Sequence, residues 1–302
     1  MAVSIPYVRE IDYQHGRMDR VSKLIRRVIA SNTGGFTYTG TGTYIIGTGR
    51  VAVVDPGPLD MAHVQAILDG IKGETISHIL ITHTHLDHSP ATVPLKKLAG
   101  NPPSYGFGPH GSGKGILEGQ SVEAGGDKLF KPDVTVRHGD VIEGDGWSVE
   151  CVHTPGHTSN HICYALREEK ALFTGDHVMG WSTSVISPPD GDMKDYMASL
   201  ELLLPRNDEV YWPTHGAPIR DPKPFVRAFI EHRHDREAQI TACLRDGIGR
   251  IPDMVPRMYA TIDKQLWPAA GRSVLAHLLH MVETGRAKCA GQPGPDAVYS
   301  AA

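Results

Sequence analysis

The chain has 302 residues, 40% of them apolar and 21% charged, enough for one large domain with a smaller one attached. A formal net charge of -4 gives no basis for nucleic-acid or membrane-surface binding by the chain as a whole. No apolar run reaches the length of a membrane span, the opening residues lack a signal-peptide core, and Cys151, Cys163, Cys243 and Cys289 show no zinc-finger or redox spacing. The expectation is a soluble cytoplasmic protein with reduced thiols and no membrane contact.

Taken in order, residues 21–29 alternate basic and apolar side chains and read as a strand. Residues 43–46 and 51–54 read as two more, joined by a tight turn at Gly47-Thr48-Gly49. The second runs into Asp55-Pro56-Gly57, a turn whose acid is expected to face inward and orient a metal-binding histidine. Residues 60–71 have helical apolar spacing through Met61, Val64, Ile67, Leu68 and Ile71, behind an Asp cap.

A buried strand at Ile79-Leu80-Ile81 then launches His83-Thr84-His85-Leu86-Asp87-His88, three imidazoles and a carboxylate in six residues. Neutral imidazole and carboxylate suit zinc and related divalent ions. In an extended segment His83 and His85 share a side, so the hexapeptide can serve two metals. Residues 91–98 read as a helix with Val93, Leu95 and Leu98 on its apolar face.

Residues 101–140 are rich in Gly and Pro and lack periodicity. They are expected to form a flap lining a substrate cleft, with His110 either an ordinary loop histidine or at the cleft's edge. A strand at 147–153 leads through His153-Thr154-Pro155-Gly156 to His157. Strands at 162–166 and 171–173 follow, the latter ending in Gly175-Asp176-His177. A helix at 192–204 and a strand at 210–212 end at Pro213-Thr214-His215. Four strand ends thus each deliver a metal-ligand type.

Beyond residue 221 the pattern is helical, at 224–244, 252–259 and 267–284, closing with Gly285 and a short basic turn. This divides the chain into a catalytic domain at 1–220 and a winged-helix-like module at 221–302. The polar run from Glu231 to Glu237 is expected to be a solvated helix face or a domain contact.

These motifs, over roughly residues 20 to 220, resemble the ligand series of the metallo-β-lactamase superfamily. The resemblance implies an α/β (α+β) fold, a four-layer αββα sandwich with the metals at one edge of two sheets. It implies that His83, His85 and His157 hold one ion, Asp87, His88 and His215 a second, and that Asp176 bridges them. Two divalent ions are therefore expected, zinc first, with manganese or iron as alternatives. Such a pair can share a hydroxide and stabilise both the attacked oxygen and the leaving group, with Asp87 placed to take the water's proton.

His177 is a candidate general acid or substrate contact, weighed equally against packing. His153 is expected to be structural and His161 strand-facing, neither in direct chemistry, and His63 and His78 carry no assigned role. The helical tail, with Gly175-Asp176-His177-Val178-Met179-Gly180 and Ser187-Pro188-Pro189-Asp190-Gly191-Asp192-Met193, resembles the branch typified by β-lactamase-like protein 2. That likeness implies the C-terminal module and, as an alternative activity, endoribonuclease action on single-stranded RNA.

Residues 221–302 hold 11 Lys and Arg against 9 Asp and Glu, a balance that does not demand RNA. The expected function is a dinuclear hydrolase attacking an acyl carbonyl (thioester, lactone or β-lactam) of a small molecule. RNA as substrate and a non-catalytic metal-binding regulator are the alternatives, and a homodimer is left open.

Overall fold

The computed structural model describes residues 4–114 and 125–302. A seven-stranded sheet is laid down in chain order as β1 (Met18–Arg20), β2 (Ile25–Ile29), β3 (Gly42–Ile46), β4 (Arg50–Val54), β5 (Thr75–Leu80), β6 (Ser104–Gly106) and β7 (Val134–Thr135). Strands β1 to β4 pair antiparallel and β4 to β7 parallel. Parallel steps need crossovers, and α1 (Met61–Gly70) and α2 (Thr92–Leu98) supply the first two. The Asp60 side chain accepts from Ala62 N and so fixes where α1 starts.

The second sheet contains β8 (Val141–Glu143), β9 (Ser148–His153), β10 (Ile162–Leu166), β11 (Ala171–Gly175) and β12 (Val210–Pro213), ordered β12-β11-β10-β9-β8. Only β11 and β12 are parallel, bridged by α3 (Met193–Leu203), which Asp192 caps through Lys194 N and Asp195 N.

The layering follows from period-2 alternation. In β4, Ala52 and Val54 join the core between the sheets, whereas Val51 and Val53 face α1 with Val64 and Ile67. In β10, Ile162, Tyr164 and Leu166 point between the sheets, and Cys163 and Ala165 face α3 with Tyr196 and Leu200. Strands with apolar side chains on both faces must be covered on both. The result is the expected αββα sandwich.

Helices α4 (Pro222–Arg245), α5 (Ile251–Met258) and α6 (Trp267–Glu283) follow, with the hairpin β13 (Ala287–Cys289) and β14 (Tyr299–Ala301). Their far ends share a core of Ile240, Met254, Val274, Leu278 and Tyr299. The N-terminal turns of α4 instead bury Phe225 and Phe229 in the layer under the second sheet.

Three expectations change or narrow. In α2 only Leu95 of the three proposed core residues is buried; Val93 and Leu98 are 73% and 53% exposed, because a seven-residue helix buries one turn's stripe. The segment at 101–140 carries β6 and β7 on the edge of the first sheet, and residues 115–124 of the expected flap lie outside the described residues. Of the two readings of the run from Glu231 to Glu237, the contact is seen on one side, where Arg233 and Glu237 are buried, while Glu231 and His234 stay exposed. The short basic turn after Gly285 is the β13–β14 hairpin, the wing of the module.

Candidate metal centre

The site is built at the strand ends along one edge of the sandwich. Directly after β4, Asp55 takes a left-handed φ of 47° that turns its side chain inward. Its carboxylate accepts from Thr82 N (2.8 Å), Thr82 Oγ1 (2.7 Å) and Thr214 Oγ1 (3.1 Å), tying together the ends of β4, β5 and β12. The same carboxylate accepts from His88 Nδ1 at 2.9 Å. The expected orienting role of Asp55 is therefore seen, and His88 is the histidine it orients.

The other strand ends supply the rest. The turn after β9 places His157, and Gly156 in it has φ 135°; a Cβ there would meet Tyr196 Cα at 2.4 Å. Only glycine lets this turn rest on α3. Asp176 follows β11 and His215 follows β12. Backbone carbonyls, which can only accept, fix two tautomers: His157 Nδ1 donates to Val185 O (2.6 Å) and His215 Nδ1 to Gly40 O (3.1 Å). Each ring therefore turns Nε2 toward the cluster.

Three groups of donor atoms lie within 4.8 Å of one another: His83, His85 and His157; His83, His88 and Asp176; and Asp87, His88 and His215. His83 Nε2 and His157 Nε2 stand 3.0 and 3.1 Å from His85 Nδ1. Asp176 lies between the groups. Its Oδ2 is 3.7 Å from His157 Nε2, while its Oδ1 is 3.7 Å from His88 Nε2 and 3.4 Å from His215 Nε2. Asp176 Oδ1, His88 Nε2 and His215 Nε2 are buried atoms that make no hydrogen bond among the described residues. Buried polar atoms converging without hydrogen bonds are costly unless something bridges them, and this donor set suits a divalent ion.

Electrostatics separate the two ends. Burial, then the neighbouring imidazoles of His88, His85 and His157, hold His83 far below the usual histidine range, so it stays neutral. At the other end burial also opposes charge, but carboxylates outweigh it. Asp176 and Asp87 push His215 up to about 10, and Asp87, Asp176 and Asp55 raise His88 well above its usual value. This end attracts positive charge, which is what a cation site requires.

Of the remaining sequence candidates, His177 sits in a packed position. Its ring is fully enclosed, 5.0 Å from Tyr196 and 6.0 Å from His161, and burial lowers it to about 3. A general acid has to reach substrate or water, and full enclosure of this ring supports the packing reading over that role. His153 stacks on Phe107 at 4.0 Å. His161 is buried, with Nδ1 2.9 Å from Thr154 Oγ1, and accepts from Asp176 N through Nε2. His110 has its side chain enclosed beside His85, with Nδ1 3.1 Å from Thr84 Oγ1.

Sequence reasoning missed Thr82 and Thr214, the hydroxyls that anchor Asp55. A signal existed, since each directly precedes a proposed ligand in a Thr-His pair, Thr82-His83 and Thr214-His215. It also missed Asn160, whose Nδ2 donates to Thr84 Oγ1 and Gly108 O and fastens the 101–114 segment over the site.

Among the described residues, no helix is long and apolar enough to cross a membrane. The Metallo-beta-lactamase superfamily matches residues 38–215, and the Beta-lactamase associated winged helix domain matches residues 251–294. The lactamase-like protein aptB of Emericella nidulans is 32% identical over 265 residues, 82% of this chain and 77% of its own length. The lactamase-like protein adaB of Aspergillus niger is 27% identical over 326 residues, 97% of this chain and 94% of its own. An atrochrysone carboxyl ACP thioesterase of Aspergillus terreus is 31% identical over 246 residues, 78% of this chain and 69% of its own.

In solved structures the fold recurs in a Beta-lactamase domain protein from Burkholderia ambifaria, with TM-score 0.81, 17% identity and coverage of 99% of this chain and 97% of that one. Sequence, layer order and strand-end donors agree, and the chain belongs to the metallo-β-lactamase superfamily, carrying that superfamily's associated winged-helix domain.

Proposed function

We propose that the protein is a dinuclear metal-dependent hydrolase acting on an acyl thioester. The observation that carries the two-metal part is the split of Asp176: one carboxylate oxygen faces His157, the other faces His88 and His215. The thioester preference over lactone or β-lactam is supported by relatives named as ACP thioesterases. These names also favour an acyl substrate over single-stranded RNA.

In this reading His83, His85 and His157 hold one ion, Asp87, His88 and His215 the other, and Asp176 lies between them. Zinc is the ion this mixture of imidazole and carboxylate fits best, with manganese or iron next. When bound, such ions supply Lewis acidity and lower the pKa of water toward neutrality.

The chain's own residues do the rest. Asp55, Val185 O and Gly40 O hold three imidazoles in fixed orientation, so little reorganisation accompanies reaction. Asp87 faces both His215 Nε2 (3.1 Å) and His88 Nε2 (3.5 Å) with Oδ2, and its side chain remains 26% exposed. Its Oδ1 is the atom assigned to take the proton as water's oxygen bonds to the acyl carbon. The carbon–sulfur bond then breaks, and the departing thiolate takes the proton back.

A side-by-side assay of aryl and alkyl thioesters, lactones, nitrocefin, bis-p-nitrophenyl phosphate and single-stranded RNA tests the substrate class. Thioesters should turn over fastest by at least about a hundredfold in kcat/KM. Faster cleavage of RNA or of the phosphodiester would replace the acyl reading, and turnover of none would favour the regulator.

A further inference from the structure

A pocket of about 300 Å³ opens between the segment that follows Asp176 and, in the tail, helix α4, the stretch from Tyr259 to Leu266 and helix α6. Phe36, Met179, Trp181, Ile262 and Leu266 give it apolar walls, while Arg233 and Arg236 bring positive charge. No Asp or Glu is among its described lining residues. The neighbouring acids are engaged elsewhere: Glu237 with His280 and Arg286, and Asp235 with Gln239.

Arg233 is only 3% exposed, and neither arginine forms an ion pair with a described carboxylate. Arg233 donates through Nη2 to Ser184 O at 2.5 Å and lies over the Tyr196 ring at 5.0 Å. Arg236 donates through Nη1 to Gln239 and to Met258 O and lies over Tyr259 at 4.5 Å. The Nε of both, and Trp181 Nε1, are buried without an acceptor among the described residues. Buried cations without a counter-charge are unfavourable until an anion arrives, and guanidinium groups pair best with carboxylate or phosphate oxygens.

The pocket shares a wall with the metal centre. Ser184 and Val185 line it, and behind them Val185 O accepts from His157 Nδ1 while Ser184 Oγ donates to Asp176 O. We propose that it is a substrate subsite for an oxyanion carried on a flat apolar body. The oxyanion is the carboxylate of the acyl group or the phosphate of its thiol arm, docked on Arg236 and Arg233 with Phe36 and Trp181 against the body. The idea rests on the hydrolase reading, because it gives the uncleaved part of the substrate a place.

The test is binding to the metal-loaded full chain, followed by tryptophan fluorescence with 2-naphthoate, phenyl phosphate and the neutral 2-naphthalenemethanol. At least one anion should bind about tenfold or more tighter than the alcohol, and the tighter anion names the source. Arg236→Gln should erase that preference and Arg236→Lys should restore part of it, with unfolding midpoints recorded alongside. Arg236 is chosen because Arg233, more deeply buried, also fastens the tail to Ser184.

Equal binding of the alcohol and both anions would overturn the proposal. So would anion binding that is unchanged by Arg236→Gln, the result expected if the anion went to the metals instead. Binding is read without turnover. A failure here leaves the thioesterase assay standing, and a failure there leaves this result standing.

Discussion

Asp55 Oδ2 accepts from His88 Nδ1 at 2.9 Å, although the two residues lie on different strand ends and 33 positions apart. This contact joins the fold to the chemistry, because the same carboxylate is what Thr82 and Thr214 hold in place. Asp55→Asn keeps the shape and tolerates the left-handed backbone, but it loses the charge facing His88. Metal affinity should fall roughly tenfold to a hundredfold, and stability by about 1–3 kcal/mol. A chelator-competition titration checks this, and unchanged affinity would show that Asp55 only braces the strands.

Gly156 sets the height of the His157 turn above α3. Gly156→Ala drives a methyl group into the Tyr196 backbone at a φ that disfavours it. Urea unfolding should show a loss of at least about 2 kcal/mol, accompanied by weaker metal retention. A variant of parental stability and metal content would mean the turn can move freely.

How far the sequence could be read depended on what kind of signal each residue gave. His83, His85, Asp87, His88, His157, Asp176 and His215 were legible because ligand-type side chains follow apolar runs, and strand ends meet at one edge of a sheet. Val93 and Leu98 misled because helical spacing alone does not tell how wide a stripe the neighbouring sheet covers. Arg233 and Glu237 were hidden, since polar residues inside a long helix look solvated until a second helix is placed against them. The wing was legible as a turn but not as strands, because Ala287-Lys288-Cys289 is too short and too mixed to show strand periodicity.

Glu237 gives a pH test of how the module is held together. Burial raises its pKa, but hydrogen bonds from His277, His280 and Arg286 outweigh this and leave it far below the ordinary glutamate range. A carboxylate with a depressed folded pKa contributes stability that is present above its unfolded pKa of about 4.3 and lost as pH falls through the folded value. Acid titration should therefore loosen the module below about pH 4, read by Trp267 fluorescence. Glu237→Gln should lower stability at neutral pH by about 3 kcal/mol and flatten this acid dependence. An unchanged slope in the variant would assign the acid sensitivity to other carboxylates.

His177 separates neighbourhood in sequence from participation in chemistry. Its enclosed ring against Tyr196 supports a packing role. His177→Asn should reduce stability by about 1–3 kcal/mol while kcat/KM of the metal-loaded enzyme stays within about fivefold. A hundredfold loss of kcat with normal metal content and stability would return His177 to the catalytic set.

The central claim is that two ions share Asp176, and metal stoichiometry addresses it most directly. Chelator-stripped protein reconstituted with zinc, dialysed and analysed for metal should hold about two equivalents per chain, and Asp176→Asn about one or fewer. A parent chain that saturates at one equivalent, or an Asp176→Asn variant that still holds two, would contradict the account.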